Sequence, residues 1–213
     1  MELSCSTLIL DLDGTISDPS LGICRSFNHA LQTFGFATHA DSVIANEIGP
    51  PLDVSFKKLV PGLDEQLIPA LVAAYRQRYA DVGYAENTLY PQIPLALEKL
   101  SAGGIQLAVC TSKRVDFAIK ILSMFELLDY FVFIDGGDIG ISKGQQLASL
   151  LAQQQIDSQA IMVGDRDVDI LAAQQNALRS IGVLWGFGGY QELAEAKADY
   201  ILASVCELSD CLA

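Results

Sequence analysis

Apolar and polar residues follow one another along the chain in blocks, and six short apolar runs each end at a polar or glycine-rich break. Runs of this length, bounded by turn residues, are typical of buried strands. Helical patterns separate the later runs, and strands that alternate with helices predict an α/β fold, a Rossmann-like parallel sheet with helices on both faces. The runs occupy residues 7–13, 105–111, 130–135, 160–165, 180–185 and 199–204.

Two of the helical patterns assign a buried face. Residues three or four positions apart share one side of a helix, so apolar residues at this spacing predict the side that packs against the sheet. Before the second pattern, Ser142 and Gln145 have the spacing of a capping box, which predicts a helix start there. The predicted buried positions are Phe117, Ile121 and Met124 or Phe125 in the first helix, and Leu147, Leu150 and Leu151 in the second.

The interval between the first two runs is too long for a structureless loop in a compact domain. Its apolar residues also step by three or four, from Leu21 to Phe34 and again from Leu67 to Tyr79. We therefore predict an inserted all-helical cap domain over residues 16–88 and an α/β core domain formed by residues 1–15 and 89–213. With hinges near residues 16–19 and 86–91, we expect the insertion to lie over the carboxyl edge of the sheet, where open α/β folds bind ligands.

Composition narrows the kinds of partner. The chain has 213 residues, 51% of them apolar and 18% charged, and its formal net charge is −13. This excess of acid argues against binding to nucleic acid or to an acidic membrane surface, so an anionic ligand requires a local cation or a metal. The 5 cysteines have no CxxC spacing and are typical of reduced thiols in a cytoplasmic protein. We find no signal peptide and no apolar run near the roughly 18 residues of a membrane span, which predicts a soluble, cytoplasmic protein.

Candidate chemistry lies where the apolar runs end. The carboxyl ends of parallel strands meet at one edge of a sheet, so the polar side chains that follow these strands are expected to converge on one crevice. The residues are Asp11 and Asp13 after the first run, Thr111, Ser112 and Lys113 after the second, Lys143 before a later helix, and Asp165, Asp167 and Asp169 after the fourth.

Several of these residues have a purely structural alternative. Asp13 precedes a glycine, and this pair is also typical of a turn. The hydroxyl groups of Thr111 and Ser112 could cap the next helix. Asp169 could be an acid of the kind that helix starts favour.

Two other features have no such explanation. Lys143, in the first turn of its helix, faces the positive end of the helix dipole, which is unfavourable. Asp165 and Asp169 repel each other if they are helically spaced. A divalent cation between the acids, with Lys143 beside them, explains both features.

The ligand types indicate the metal and the reaction. Oxygen-only ligation with few carboxylates suits Mg²⁺, and a hydroxyl group, a lysine and Mg²⁺ are the usual parts that position a phosphoryl group. Asp11 would then attack phosphorus and form an aspartyl phosphate. Asp13, two residues on and on the same side of an extended strand, would protonate the leaving oxygen and later deprotonate the attacking water.

The segments "DLDGT" (11–15), "CTSK" (110–113), Lys143 and "GDRDVD" (164–169) resemble, in order, the four motifs of the haloacid dehalogenase superfamily. Residues 48–56, 86–93 and 164–188 are similar to phosphoglycolate phosphatases and 5′-nucleotidases of that superfamily. The resemblance implies that Thr111 contacts phosphate and that Lys143 steadies Asp11 and the phosphoryl group. It also implies that Mg²⁺ is held by Asp165, Asp11 and the backbone carbonyl of Asp13, with Asp169 as a ligand or as a residue that orients the ligands.

The sequence therefore predicts a Mg²⁺-dependent phosphatase that acts on a small phosphorylated metabolite of the phosphoglycolate or nucleoside monophosphate type. A phosphoryl mutase of the β-phosphoglucomutase type and a non-catalytic phosphate-binding or sensor protein are the alternatives. The pattern leaves open the role of Asp167, whether Trp185 stacks on a base or sugar or simply packs, and the oligomeric state. The candidate substrate-binding residues are Ser112, Lys113, Gly49 and Arg25.

Overall fold

The computed structural model describes residues 5–48, 52–137 and 140–211. Contacts between residues divide the chain into two compact units. The sheet unit contains the described residues up to Asp18 and from Leu89 onward, and the helical unit is Pro19–Thr88. The pattern of apolar residues predicts that the helical unit begins at residue 16, and the structure places this boundary slightly later, after Asp18. Two short strands, β2 (Ser17–Asp18) and β3 (Thr88–Leu89), lie where the chain passes from one unit to the other.

Within the described residues, a parallel sheet of six strands forms the centre of the sheet unit, in the order β5-β4-β1-β6-β7-β8. All four residues of β1 are buried, because β1 lies between β4 and β6 and pairs Leu8 with Leu107 on one side and with Ile161 on the other. The predicted α/β fold with a parallel sheet is confirmed. The strands are β1 (Thr7–Leu10), β4 (Gln106–Thr111), β5 (Phe131–Gly136), β6 (Ile161–Gly164), β7 (Arg179–Val183) and β8 (Tyr200–Leu202).

Helices follow the strands of this unit, as the alternating pattern predicts. The capping box before α7 is confirmed: the Gln145 backbone N–H donates to Ser142 Oγ over 3.3 Å, and the Ser142 N–H donates to Gln145 Oε1 over 2.8 Å. The predicted packing face of α7 is also confirmed, since Leu147 and Leu150 are buried against the sheet and Leu151 is partly buried. The helices are α5 (Ile93–Ala102), α6 (Val115–Met124), α7 (Lys143–Ala152), α8 (Asp167–Gln175), α9 (Tyr190–Glu195) and α10 (Val205–Asp210).

The predicted face of α6 is wrong in part. Ile121 is buried as expected, but Met124 is 40% exposed. The buried positions of α6 are Ala118, Ile121 and Leu122, which also have the spacing of one helix face. The sequence therefore contains two overlapping apolar stripes, and periodicity alone does not distinguish them.

The helical unit contains α1 (Ser20–Thr33), α2 (Asp41–Ala45), α3 (Leu52–Leu59) and α4 (Ile68–Asp81). Its interior contains an aromatic cluster: the ring centroid of Phe27 lies 4.9 Å from that of Phe56 and 4.8 Å from that of Tyr75. The two ends of the predicted stripe on α1, Leu21 and Phe34, are 39% and 36% exposed. No described helix in either unit is long and apolar enough to cross a membrane.

Candidate active site

The end of β1 places a carboxylate at the carboxyl edge of the sheet. Asp11 is only 8% exposed, its backbone N–H donates to the Val163 carbonyl of β6 over 2.9 Å, and its Oδ1 accepts the Leu12 N–H over 2.7 Å. The turn that follows requires a glycine, because Gly14 has φ +84° and a Cβ at this position would overlap the Asp165 carboxylate. The turn therefore brings Asp11 close to the residues that follow β6.

Lys143 lies between two carboxylates. Its Nζ is 3.0 Å from Asp11 Oδ2 and also contacts Asp169 Oδ1, and its side chain is 4% exposed. Burial alone would lower the pKa of this lysine, but the carboxylates of Asp11 and Asp169 outweigh that effect and raise it. The ammonium group therefore stays charged, and its two partners account for the unfavourable position at the start of α7.

Asp165 and Asp169 complete a cluster with Asp11, in which each residue offers one oxygen within 4.8 Å of the other two. Asp165 is fully buried, and burial together with the charges of Asp11 and Asp169 raises its pKa to about 7. Its Oδ2 accepts the Phe187 N–H over 2.7 Å, whereas Oδ1 is buried without a hydrogen-bond partner among the described residues. An orphaned buried carboxylate oxygen costs free energy, so this oxygen-only cluster fits a hard cation.

Asp169 differs from Asp165 in its partners. One of its oxygens contacts Lys143, and the other accepts the Arg166 backbone N–H over 3.1 Å. Burial raises the pKa of Asp169 against the effect of the Lys143 charge. Because both oxygens already accept hydrogen bonds, the arrangement favours Asp169 as a residue that orients the cluster over Asp169 as a direct ligand.

Asp13 has an ion pair of its own. Its Oδ2 lies 2.7 Å from Lys113 Nζ, and its Oδ1 is buried without a hydrogen-bond partner among the residues that the structure describes. Burial raises the pKa of Asp13, the Lys113 charge opposes that rise, and the Asp11 charge adds to it. A carboxyl group with a raised pKa holds a proton that it can give to a leaving group.

Thr111 ends β4 and is 2% exposed. Its Oγ1 accepts the Lys113 N–H over 3.3 Å, and its carbonyl accepts from Gln146 Nε2 over 3.2 Å. The alternative that Thr111 or Ser112 caps the next helix is wrong, since α6 has Arg114 at its N-cap and no side-chain cap. Ser112 lies in the connection between β4 and α6 and is exposed.

The remaining candidates have partners of their own or lie outside the described residues. Arg25 lies in the helical unit, where its Nη1 is 2.7 Å from Glu86 Oε1. Gly49 lies outside the described residues. Asp167 begins α8 and is half-buried, and its backbone N–H donates to Glu192 Oε1 over 3.0 Å.

Sequence analysis missed two contributors to the site. Gln146 is buried and donates to both the Thr111 carbonyl and Asp135 Oδ2, which ties α7 to the ends of β4 and β5. The Phe187 backbone N–H binds Asp165. A glutamine in a helix and a backbone amide in a loop have no signature in the sequence, so only the position of Gln146 one helical turn after Lys143 could have drawn attention to it.

The parallel-sheet fold and the four sequence motifs, at residues 11–15, 110–113, 143 and 164–169, are those of the haloacid dehalogenase-like hydrolases. The family of that description matches the chain over residues 8–183, and the chain belongs to it. The predicted recognition of this family is therefore confirmed, and so is the prediction of an enzyme family with phosphatase relatives.

The relatives of this chain are named for different activities. Tyrosine-protein kinase PtkA of Mycobacterium tuberculosis is 36% identical over 198 residues, which are 91% of this chain and 64% of that protein. The chain thus spans less than two thirds of that relative. A 5′-nucleotidase of Pseudomonas aeruginosa is 34% identical and is covered to 94%, with 96% of this chain aligned. A phosphoglycolate phosphatase of Yersinia pseudotuberculosis is 29% identical, with 93% of this chain and 89% of that protein aligned.

Solved structures agree with the fold. A haloacid dehalogenase-like family protein of Streptococcus pneumoniae has a TM-score of 0.89 and 30% identity, with 96% of each chain covered.

Proposed function

We propose that the protein is a Mg²⁺-dependent phosphatase that hydrolyses a small phosphate monoester through a phosphorylated Asp11. One observation carries the proposal: Asp11, paired with the buried Lys143, clusters with Asp165, which has one oxygen that is buried without a hydrogen-bond partner among the described residues. The family and the phosphatase names of its relatives support the reaction class.

The metal would be held by Asp11, by Asp165 and by the backbone carbonyl of Asp13, with Asp169 and Lys143 fixing the carboxylates. When bound, Mg²⁺ supplies positive charge that neutralises the phosphoryl oxygens and the Asp11 carboxylate. Thr111 and Lys143 would bind the phosphoryl oxygens, with Ser112 and Lys113 beside them.

In the first step, an Asp11 carboxylate oxygen forms a bond to phosphorus as the ester P–O bond breaks. Asp13 gives its proton to the leaving oxygen, so the alcohol departs neutral. In the second step, Asp13 takes a proton from water, and the water oxygen attacks phosphorus. The bond between phosphorus and Asp11 then breaks, which releases inorganic phosphate and restores both aspartates.

Two observations indicate the class of substrate. The relatives named 5′-nucleotidase and phosphoglycolate phosphatase suggest a small phosphorylated metabolite, and the net charge of −13 argues against a nucleic acid polymer or an acidic membrane as a partner. We assign the helical unit the part of a cap that selects the substrate, with Arg25 and Gly49 as its candidate contacts. A cytoplasmic location is consistent with this choice of substrate.

The decisive test is phosphate release from phosphoglycolate, nucleoside monophosphates, sugar phosphates and an aryl phosphate. We expect turnover that requires Mg²⁺ and stops on chelation, and an Asp11→Asn variant that is folded and inactive. Asp129→Asn is the matched control, because Asp129 is exposed in a short turn of the same unit.

Three other outcomes would replace the proposal. Activity that survives exhaustive chelation would show that the reaction does not require a metal. Transfer of phosphate to a second hydroxyl, detected by product analysis, would indicate a mutase. Phosphate binding without turnover on any substrate would indicate a sensor.

A further inference from the structure

The segment Trp185–Gly188, "WGFG", follows β7 and has no part in the proposed chemistry. The Trp185 indole N–H donates to the Thr15 carbonyl over 3.0 Å. Two residues later, the Phe187 backbone N–H donates to Asp165 Oδ2 over 2.7 Å. One short segment therefore binds both the turn after β1 and the buried carboxylate after β6.

The two glycines of this segment pack directly on the same groups. A Cβ at Gly186 would overlap the Gly14 carbonyl and Asp165 Cβ, and a Cβ at Gly188 would overlap the Asp165 carbonyl. Any side chain at these positions would move Asp165, the turn, or both. By contrast, a Cβ at Gly189 would meet no heavy atom within 4 Å.

The contacts of Asp165 are divided between its two oxygens. The Phe187 N–H occupies Oδ2, which leaves Oδ1 as the oxygen without a partner among the described residues. A single hydrogen bond fixes which oxygen is free and where it lies. The turn that Trp185 holds contains Asp13, whose carbonyl is the backbone group assigned to the metal.

We propose that Trp185–Gly188 is a metal-positioning strap, in which Trp185 and the two glycines hold Asp165 and the turn after β1 in the mutual arrangement that binds Mg²⁺. The inference rests on the proposed function, since it assumes that the cluster binds a divalent cation. It gives Trp185 a positioning role in place of stacking on a base or sugar. Hydrogen bonds of this kind to metal ligands typically change metal affinity by about 10-fold to 100-fold.

The test measures binding of Mg²⁺ alone, without substrate, by isothermal titration calorimetry. Gly186→Ala is compared with Gly189→Ala, since both add one methyl group to the same loop. We expect Gly186→Ala to lose at least about tenfold in Mg²⁺ affinity, and Gly189→Ala to match the unaltered protein. Trp185→Phe keeps an aromatic ring but lacks the N–H, and we expect a loss of about threefold to tenfold, as for one neutral hydrogen bond.

Thermal unfolding without metal measures how much each variant destabilises the fold. It therefore separates a loss of metal positioning from a merely structural effect. Ser180→Ala is the control, because Ser180 Oγ bonds to Asp199 Oδ2 in the same unit outside the metal cluster. We expect it to lower Tm without changing Mg²⁺ affinity. If Gly186→Ala fails to fold, Trp185→Phe carries the test.

Trp185 is the only tryptophan of the chain, so its emission is an independent readout. We expect Mg²⁺ to change the emission of the unaltered protein and of Gly189→Ala. Folded Trp185→Phe and Gly186→Ala variants with Mg²⁺ affinity within twofold of the unaltered protein would overturn the strap alone. An unaltered protein that binds no Mg²⁺ would overturn the strap and the metal-dependent function together.

Discussion

Charged side chains have different surroundings in the two units. In the sheet unit, the side chains of Lys143 and Asp169 are 4% and 0% exposed and contact each other. In the helical unit, the side chains of Arg25 and Lys57 are 54% and 46% exposed, and each forms an ion pair with a glutamate. Exposed ion pairs contribute little to stability, whereas buried charges are costly unless every one has a partner.

The difference indicates which charges serve function. The exposed pairs of the helical unit are adequately explained as solvated helix surface. The buried cluster of the sheet unit retains an unpaired carboxylate oxygen on Asp165 among the described residues, so folding alone does not explain it. Substitutions of charged residues in the two units should therefore differ greatly in their effects on activity and stability, and we order them from the largest effect to the smallest.

The largest difference is expected between two lysines. Lys143→Met leaves Asp11 and Asp169 without their shared cation, so we expect activity to be abolished and the metal-free protein to lose about 3–5 kcal/mol of stability. Lys57→Met removes an exposed ion pair, so we expect almost no change in stability and no change in hydrolysis of acetyl phosphate. Urea denaturation and phosphate release measure both. Equal losses for the two variants would remove the distinction between the units.

The next effect concerns proton transfer. Asp13→Asn should slow turnover by about 10² to 10⁴ if Asp13 is the general acid and base. Aryl phosphates with increasingly acidic phenols need less protonation of the leaving oxygen, so the defect in the first step should shrink along that series. A defect that persists with the most acidic phenol would assign the slow step to hydrolysis of the aspartyl phosphate. Full activity of the variant on alkyl phosphates would remove Asp13 from proton transfer.

Stability of the metal-free protein should depend on pH through Asp165. The pKa of this residue is raised from 3.8 to about 7 by burial and by the charges of Asp11 and Asp169. Between these values the folded state binds more protons than the unfolded state, so the free energy of unfolding falls as pH rises from about 4 to about 7. Asp165→Asn should flatten this fall, and Asp129→Asn should not.

Added Mg²⁺ gives a second test of the role of Asp165 in stability. Because the cation binds the folded state, it should restore stability at pH 7 to the unaltered protein far more than to Asp165→Asn. Urea denaturation over a pH series, with chelator and with Mg²⁺, measures both effects. Curves for Asp165→Asn that run parallel to those of the unaltered protein would show that Asp165 is not the group that titrates.

Much of the sheet unit could be predicted from the sequence, because its determinants are local. Apolar runs locate the strands, parallel pairing brings Asp11 and Asp165 to one edge, and a three-residue spacing locates the capping box at the start of the helix that contains Lys143. The contacts of Gln146, of Trp185 with Thr15, and of Lys113 with Asp13 join residues that are far apart in sequence. No periodicity encodes such contacts, and one of the site's donors is a backbone amide, which any residue could supply.

The smallest expected effect concerns Arg25, and it tests whether the helical unit contributes to substrate choice. Glu86 Oε1 accepts from Arg25 and also from Arg78, so Glu86 keeps a cationic partner when Arg25 is removed. Arg25→Gln should therefore cost less than about 1 kcal/mol of stability. If Arg25 binds a second anionic group of the substrate, the variant should lower kcat/KM for phosphoglycolate relative to acetyl phosphate by about tenfold, the equivalent of one lost charge-assisted hydrogen bond.

Arg76→Gln is the matched control, because Arg76 is an exposed arginine of the same unit. If the ratio of kcat/KM for phosphoglycolate to that for acetyl phosphate is the same in both variants, Arg25 does not bind substrate. Its pairing with Glu86 is then its whole role.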